Sequence, residues 1–197
     1  METSPAPELR RLTIEAWAAL DEDEPGELVD GVIVEDEMAG WAHEVVVSWL
    51  LGVLLSWARA RGARVAGSDA KLAVSAARGR KPDILVYLPG APRPSAKGPI
   101  RVPPSIVVEV VSPSPSDARR DRIAKVDEYA AFGVAWYWIV DPELRTVEIL
   151  ERGADGRYVH ALGQSNGRIN AVPGCESLAL DIDAMWADLD AAIAEGS

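Results

Sequence analysis

Apolar residues recur along this chain at two spacings, one near three and a half positions and one of two, and Gly, Pro and Asp mark the boundaries between them. Thr13 to Leu20 has the helical spacing: Thr13 is a cap, and Ile14, Trp17 and Leu20 share one face. Asp21-Glu22-Asp23-Glu24-Pro25-Gly26 then breaks the pattern. Glu27 to Glu35 reads as two short strands around Asp30-Gly31, a dipeptide that favours a type I′ hairpin turn. From Ala42 to Arg61 the chain is apolar on nearly every side, with Gly52 inside and Gly62 at the end. This predicts the longest helix, central and covered on several faces.

The second half is richer in strands. Arg64 to Val74 is a weak strand region whose best part is Lys71-Leu72-Ala73-Val74-Ser75, and Pro82 to Leu88 is a strand followed by a Pro-rich loop from Pro89 to Pro104. Ile106 to Val111 is apolar at every position but Glu109, the mark of a strand buried on both faces. Ser112-Pro113-Ser114-Pro115-Ser116 turns the chain into a helix from about Asp117 to Phe132, closed by Gly133. Ala135 to Val140 is a further strand. Thr146 to Glu151 and Arg157 to Leu162 pair around Asp155-Gly156, and a strand near Leu178 and a helix over Asp183 to Ala194 complete the chain. The strand–helix–strand passage from Ile106 to Val140 predicts a crossover within a mixed sheet. The fold class expected is therefore mixed α/β (α+β), a central mixed sheet flanked by helices. Residues 1–197 read as one domain, without internal repeats or a dividing linker.

Composition narrows the function. Hydrophobic content of 48% and charge of 26% fit a globular protein. A net charge of −11 counts against a non-specific polyanion binder, because phosphate-backbone affinity comes mainly from Lys and Arg. It leaves room for a nuclease with a locally basic cleft, and it repels anionic membrane surfaces. The single Cys175 forms no internal disulfide, and no Cys/His cluster has zinc spacing. The N-terminus lacks a signal-peptide pattern, and the longest apolar run, Val45 to Trp57, is too short to span a bilayer. The expectation is a cytoplasmic protein with no membrane partner.

Two acids stand out against this background. Asp83 and Glu109 each sit in an apolar strand, 26 positions apart, where burying an unpaired carboxylate costs several kcal/mol. On adjacent antiparallel strands in aligned register their side chains would come within about 5 Å. Either a shared hard cation, Mg²⁺ or Mn²⁺, or a basic partner would offset the cost. The chain has only four lysines, Lys71, Lys81, Lys97 and Lys125, and Lys125 lies within the helix that follows the Glu109 strand. Helical spacing places it on one face with Asp121, Tyr129 and, roughly, Phe132, while Ile123, Val126 and Ala130 form a second apolar face. Its ammonium could steady charge on a phosphate or simply pair with Asp121. Alternation places Trp136 and Trp138 on one face of their strand and Tyr137 on the other, which favours core packing over base stacking.

Pro82-Asp83, Glu109 in an apolar strand and a nearby lysine together resemble the PD-(D/E)XK nuclease superfamily. Where that pattern carries lysine two residues after the glutamate, this chain has Val111. The lysine shifted to the following helix resembles one branch, the putative restriction endonuclease family formerly known only as a domain of unknown function. Other blocks resemble that family in the same order: Glu27-Leu28-Val29-Asp30-Gly31, His43, Arg80-Lys81-Pro82-Asp83, Glu109-Val110-Val111-Ser112-Pro113-Ser114, Asp121 to Tyr129, Gly133-Val134 and Tyr137 to Pro142. The resemblance runs in order from about residue 13 to 150, most of the chain.

The resemblance implies a restriction-endonuclease-like fold and Mg²⁺- or Mn²⁺-dependent hydrolysis of phosphodiester bonds in nucleic acid, DNA ahead of RNA. Asp83 and Glu109 would bind the metal, with the Val110 carbonyl as an extra ligand, and Lys125 would position the attacking water. Glu27 is either an additional site acid or an exposed hairpin residue. His43 is either a general base or substrate contact, or a structural hydrogen-bonding group. A homodimer is implied only by analogy with other nucleases of this fold. Two rivals stand beside this reading: a catalytically inactive member acting as a binding or regulatory module, and a metal-dependent hydrolase of a small phosphodiester.

Overall fold

The computed structural model describes residues 11–21, 26–35, 40–112 and 119–194. In chain order they form α1 (Ile14–Ala18), β1 (Glu27–Val29), β2 (Val32–Val34), α2 (Trp41–Arg59), β3 (Arg64–Ala66), β4 (Leu72–Ser75), β5 (Arg78–Arg80), β6 (Ile84–Tyr87) and β7 (Ile106–Val110). One π-helical turn (Arg120–Ala124) then runs directly into α3 (Lys125–Phe132). β8 (Trp136–Asp141), β9 (Thr146–Arg152), β10 (Tyr158–Gln164), β11 (Arg168–Ile169), β12 (Leu180–Asp181) and α4 (Ile182–Ala194) follow.

The apolar run at β7 becomes an interior strand because both of its faces find cover. It lies in a six-stranded sheet of order β10-β9-β8-β7-β6-β3, parallel to β8 and antiparallel to β6. A parallel neighbour requires a long crossover, and the segment carrying α3 supplies it. On one face Val108, Val110, Ile84, Val86, Trp138 and Val140 pack against α2 and α4 through Leu50, Leu54, Met185 and Trp186. On the other, Val107, Val111, Leu85 and Tyr137 pack with Tyr129 of α3. Trp138 and Tyr137 therefore take opposite faces and are core, as their alternation predicts.

A smaller antiparallel sheet of order β2-β1-β5-β4 lies alongside. Its β1–β2 turn has φ of 50° at Asp30 and 83° at Gly31, the two left-handed positions a type I′ turn needs. Ile14 and Trp17 of α1 pack with Leu28 and Ala73 beneath it. Thr13 caps α1 by accepting the Ala16 N–H.

Three expectations change. The helix at α2 is buried on one broad side only, and Glu44, Ser48, Gly52 and Ser56 form an exposed stripe, because the sheet and α4 meet the same side. Among the described residues it is also the one helix long and apolar enough to cross a membrane, and most of its apolar residues pack in or against the core. Ile123 is 57% exposed rather than part of an apolar face: it stands two residues from both Asp121 and Lys125, which turn inward, and so points away. β5 and β11, which periodicity does not predict, are present. The acidic break over 22–25, and the Ser/Pro turn with the helix start over 113–118, lie outside the described residues.

Candidate active site

The ladder between β6 and β7 pairs Ile84 with Val108; continued by one residue it sets Asp83 opposite Glu109. Directly opposed residues of an antiparallel pair share a face. The register that the sequence left open is thus the one that brings the two acids together. Asp83 Oδ2 accepts the Val110 N–H at 2.7 Å and lies 3.3 Å from His43 Nε2; neither contact uses Oδ1.

Glu109 is 3% exposed, and both of its oxygens are engaged from α3. The Tyr129 hydroxyl donates to Oε1 at 2.6 Å, and Lys125 Nζ lies 3.1 Å from Oε2. Lys125 is itself buried, with Asp121 Oδ1 at 2.9 Å and Glu27 Oε1 at 3.6 Å. Its pairing with Asp121 and its place beside Glu109 are therefore both realised. The π-helical turn, in which the Lys125 N–H bonds to the Arg120 carbonyl, is where Asp121 and Lys125 both face inward. Such single wide turns recur at functional sites.

Glu27 comes from the other sheet. It is 1% exposed, which removes the alternative of an exposed hairpin acid. Arg80, also 1% exposed, explains how it stays buried: its Nη1 donates to Glu27 Oε2 at 2.7 Å, and its Nε and Nη2 donate to Glu128 of α3 at 2.7 and 2.8 Å. Arg78 adds a bond to Glu128 at 2.7 Å. The Lys81 N–H donates to Glu27 Oε1 at 3.0 Å. The small sheet is thereby tied to the helix that carries Lys125.

Charge states follow from these neighbours. Burial lowers the Lys125 ammonium's pKa, but Glu109, Glu27 and Asp121 outweigh it and hold the pKa well above its ordinary value, so the group stays charged. Burial raises Glu27, but Lys125 and Arg80 outweigh it and hold the carboxyl below its ordinary value. Burial pushes Glu109 well above the usual carboxylate range; Lys125 opposes this, and Asp121, Asp83 and Glu27 add to it. Asp121 is raised by burial against the pull of Lys125. Burial lowers His43, and Asp83, with Glu44, more than restores it, so the imidazole lies above its ordinary value. His43 is buried near the start of α2.

The site is an all-oxygen donor set with more negative than positive charge around Glu109, which suits a hard divalent cation. Among the described residues no group of three or more His, Cys, Asp or Glu side chains is placed to enclose an ion. A cation between Asp83 and Glu109 would share its shell with solvent or substrate, the ordinary habit of Mg²⁺. The residues present fit such an ion.

All five residues singled out in the sequence therefore converge: Asp83, Glu109, Lys125, Glu27 and His43. Arg80, Glu128 and Tyr129 were not assigned roles; their signal was their place inside the same ordered blocks. Cys175 lies elsewhere, buried in the main core, where burial pushes its thiol up to about 12.

A family model described as "Uma2: Putative restriction endonuclease" matches residues 7–183. No curated protein matches the chain. A crystal structure of a putative nuclease belonging to DUF820 from Anabaena variabilis superposes with a TM-score of 0.70 at 21% identity, covering 90% of this chain and 99% of that one. At that identity the likeness shows a shared fold. The type IIG restriction endonuclease BpuSI matches with a TM-score of 0.41 at 11% identity, over 83% of this chain and 19% of its own.

Proposed function

The chain belongs to the Uma2 family of putative restriction endonucleases, and from that premise we propose that it is a divalent-metal-dependent endonuclease hydrolysing phosphodiester bonds in DNA. The observation that carries the reading is the convergence of Asp83 and Glu109 from opposed strand positions, with the Lys125 ammonium 3.1 Å from Glu109. Asp83 and Glu109 would hold Mg²⁺ or Mn²⁺. Such an ion, when bound, supplies Lewis-acid polarisation of a phosphoryl oxygen and a more acidic water.

The chain's own groups do the rest. Lys125 is held charged, so it acts as a hydrogen-bond donor to the attacking water and to the negative charge that grows on the phosphate, not as a base. Glu27, held ionised, balances that ammonium together with Asp121. His43 and the Val110 N–H both meet Asp83 Oδ2, which fixes the carboxylate's rotation and leaves Oδ1 to face the cation. Arg119, exposed, stands at the start of the π-helical turn, two residues before Asp121, and is a candidate positive charge for a substrate phosphate. The description of the family as restriction endonucleases favours DNA ahead of RNA, and a homodimer would let two sites reach two strands.

A second reading, an inactive nuclease fold used as a binding or regulatory module, draws on the net charge of −11 and on Glu109 having both oxygens partnered. Plasmid cleavage separates the two. The nuclease reading predicts Mg²⁺- or Mn²⁺-dependent nicking that EDTA stops and that Asp83→Asn and Glu109→Gln abolish. Absence of cleavage with either ion, on both DNA and RNA, would favour the module.

A further inference from the structure

We propose that Tyr129 is a positioning residue: its hydroxyl sets the orientation of the Glu109 carboxyl toward Asp83 and thereby the affinity of the pair for a divalent cation. The inference rests on the reading of Asp83 and Glu109 as the cation's ligands. Tyr129 is fully buried and lies one helical turn beyond Lys125 on α3. Its hydroxyl donates to Oε1 of Glu109 at 2.6 Å while Nζ of Lys125 holds Oε2 at 3.1 Å. Two groups on one helix therefore grip the two oxygens of one carboxylate. The last torsion of a glutamate is otherwise broad, so this grip fixes the plane of the carboxyl group.

The phenol is well placed for that task and for no other visible one. Its ring packs edge-on against Tyr137, with centroids 5.1 Å apart and an interplanar angle of 67°. The Tyr137 hydroxyl is committed elsewhere, donating to the Asp121 carbonyl at 3.0 Å, so it cannot substitute. The bidentate Arg80–Glu128 pair, one residue before Tyr129, sets the rotation of the helix. Removing the hydroxyl would leave a buried carboxylate oxygen without its partner and free to turn. Outer hydrogen-bond partners of metal ligands typically contribute about 10- to 100-fold in metal affinity.

The test is Mn²⁺ binding followed by electron paramagnetic resonance on the full chain, for wild type, Tyr129→Phe and Tyr137→Phe, with the metal-free melting temperature of each. Both variants keep their rings, and both lose one buried hydrogen bond. The expected result is that Tyr129→Phe weakens Mn²⁺ binding by about 10- to 100-fold while Tyr137→Phe leaves it unchanged, whatever small drop in melting temperature the two share. Wild-type affinity in Tyr129→Phe would overturn the proposal, as would equal weakening in both variants in step with their melting temperatures. If wild type itself binds no Mn²⁺, the cation reading falls and takes this inference with it. If wild type binds and Tyr129→Phe binds equally well, only the positioning role falls.

Discussion

Lys125 Nζ lies 3.1 Å from Oε2 of Glu109 although the two residues stand on different elements, a helix and the strand before it. The chain thus keeps an ammonium beside the second acid while residue 111, two positions on from Glu109, is a buried valine. Replacing Lys125 by Met should lower phosphodiester cleavage by about 100- to 1,000-fold, the usual scale for losing one preorganised donor at developing charge. Adding Val111→Lys to that variant should recover part of the activity, because residue 111 shares the Glu109 face of β7. Plasmid nicking rates for the single and double variants check both expectations; unchanged cleavage in Lys125→Met would remove the lysine from the mechanism.

What could be read from the sequence, and what could not, follows from how far each signal reaches. Asp83, Glu109 and Lys125 stand out because each breaks a local rule: an acid inside an apolar strand, or a rare lysine within a helix. The strands and helices around them are legible because burial repeats at a fixed period, and the family's ordered blocks add the fold. Arg80 carried no such mark. Arg78-Gly79-Arg80 has little strand propensity, and only the meeting of two sheets and α3 turns it into β5, with Arg80 between Glu27 and Glu128. The π-helical turn is likewise a tertiary outcome, since an extra residue within a helix leaves no distinct pattern of apolar positions.

Arg80 should be among the residues whose loss destabilises the fold most. Removing the buried guanidinium that joins Glu27 and Glu128 breaks three charged hydrogen bonds, leaving Glu27 with Lys125 and Glu128 with Arg78 as their remaining cationic partners, at a cost of about 3–5 kcal/mol. Arg80→Met should show this as a lower denaturant midpoint, and Arg80→Lys should recover little of it, because an ammonium cannot reproduce the bidentate contact with Glu128. A midpoint equal to wild type would contradict this account of how the small sheet is held.

Gly79 is required by the ring behind it. A Cβ at this position would fall 2.2 Å from the Trp17 ring, too close for any side chain. Gly79→Ala should therefore push α1 away from β5 and cost about 1–3 kcal/mol, the range for overpacking a filled core. Thermal melts of the variant check the loss. Because β5 carries Arg80, cleavage activity should fall together with stability.

Stability of the metal-free protein should decline as pH rises above the ordinary carboxylate range. Glu109 has a folded-state value raised well above its ordinary one, and Asp121 is raised as well. Between the ordinary value and the raised one, the folded state holds protons that the unfolded chain has released. Their contribution is thus complete below the ordinary value of each group and lost as pH climbs through the folded one. Glu27 runs the other way: its value is lowered, so its contribution is present above the ordinary value and lost as pH falls through the folded one. Denaturant midpoints across a pH series should therefore slope downward toward high pH in wild type, and Glu109→Gln should flatten that slope.

The most direct test of the central claim is calorimetric titration of the full chain with Mg²⁺ and with Mn²⁺, in wild type and in Asp83→Ala. The account predicts one cation site per chain in wild type, with affinity that rises as pH rises because the raised Glu109 carboxyl must give up its proton to bind. It predicts loss of that site in Asp83→Ala. A wild-type protein that binds neither ion, or an Asp83→Ala variant that binds as wild type does, would contradict it.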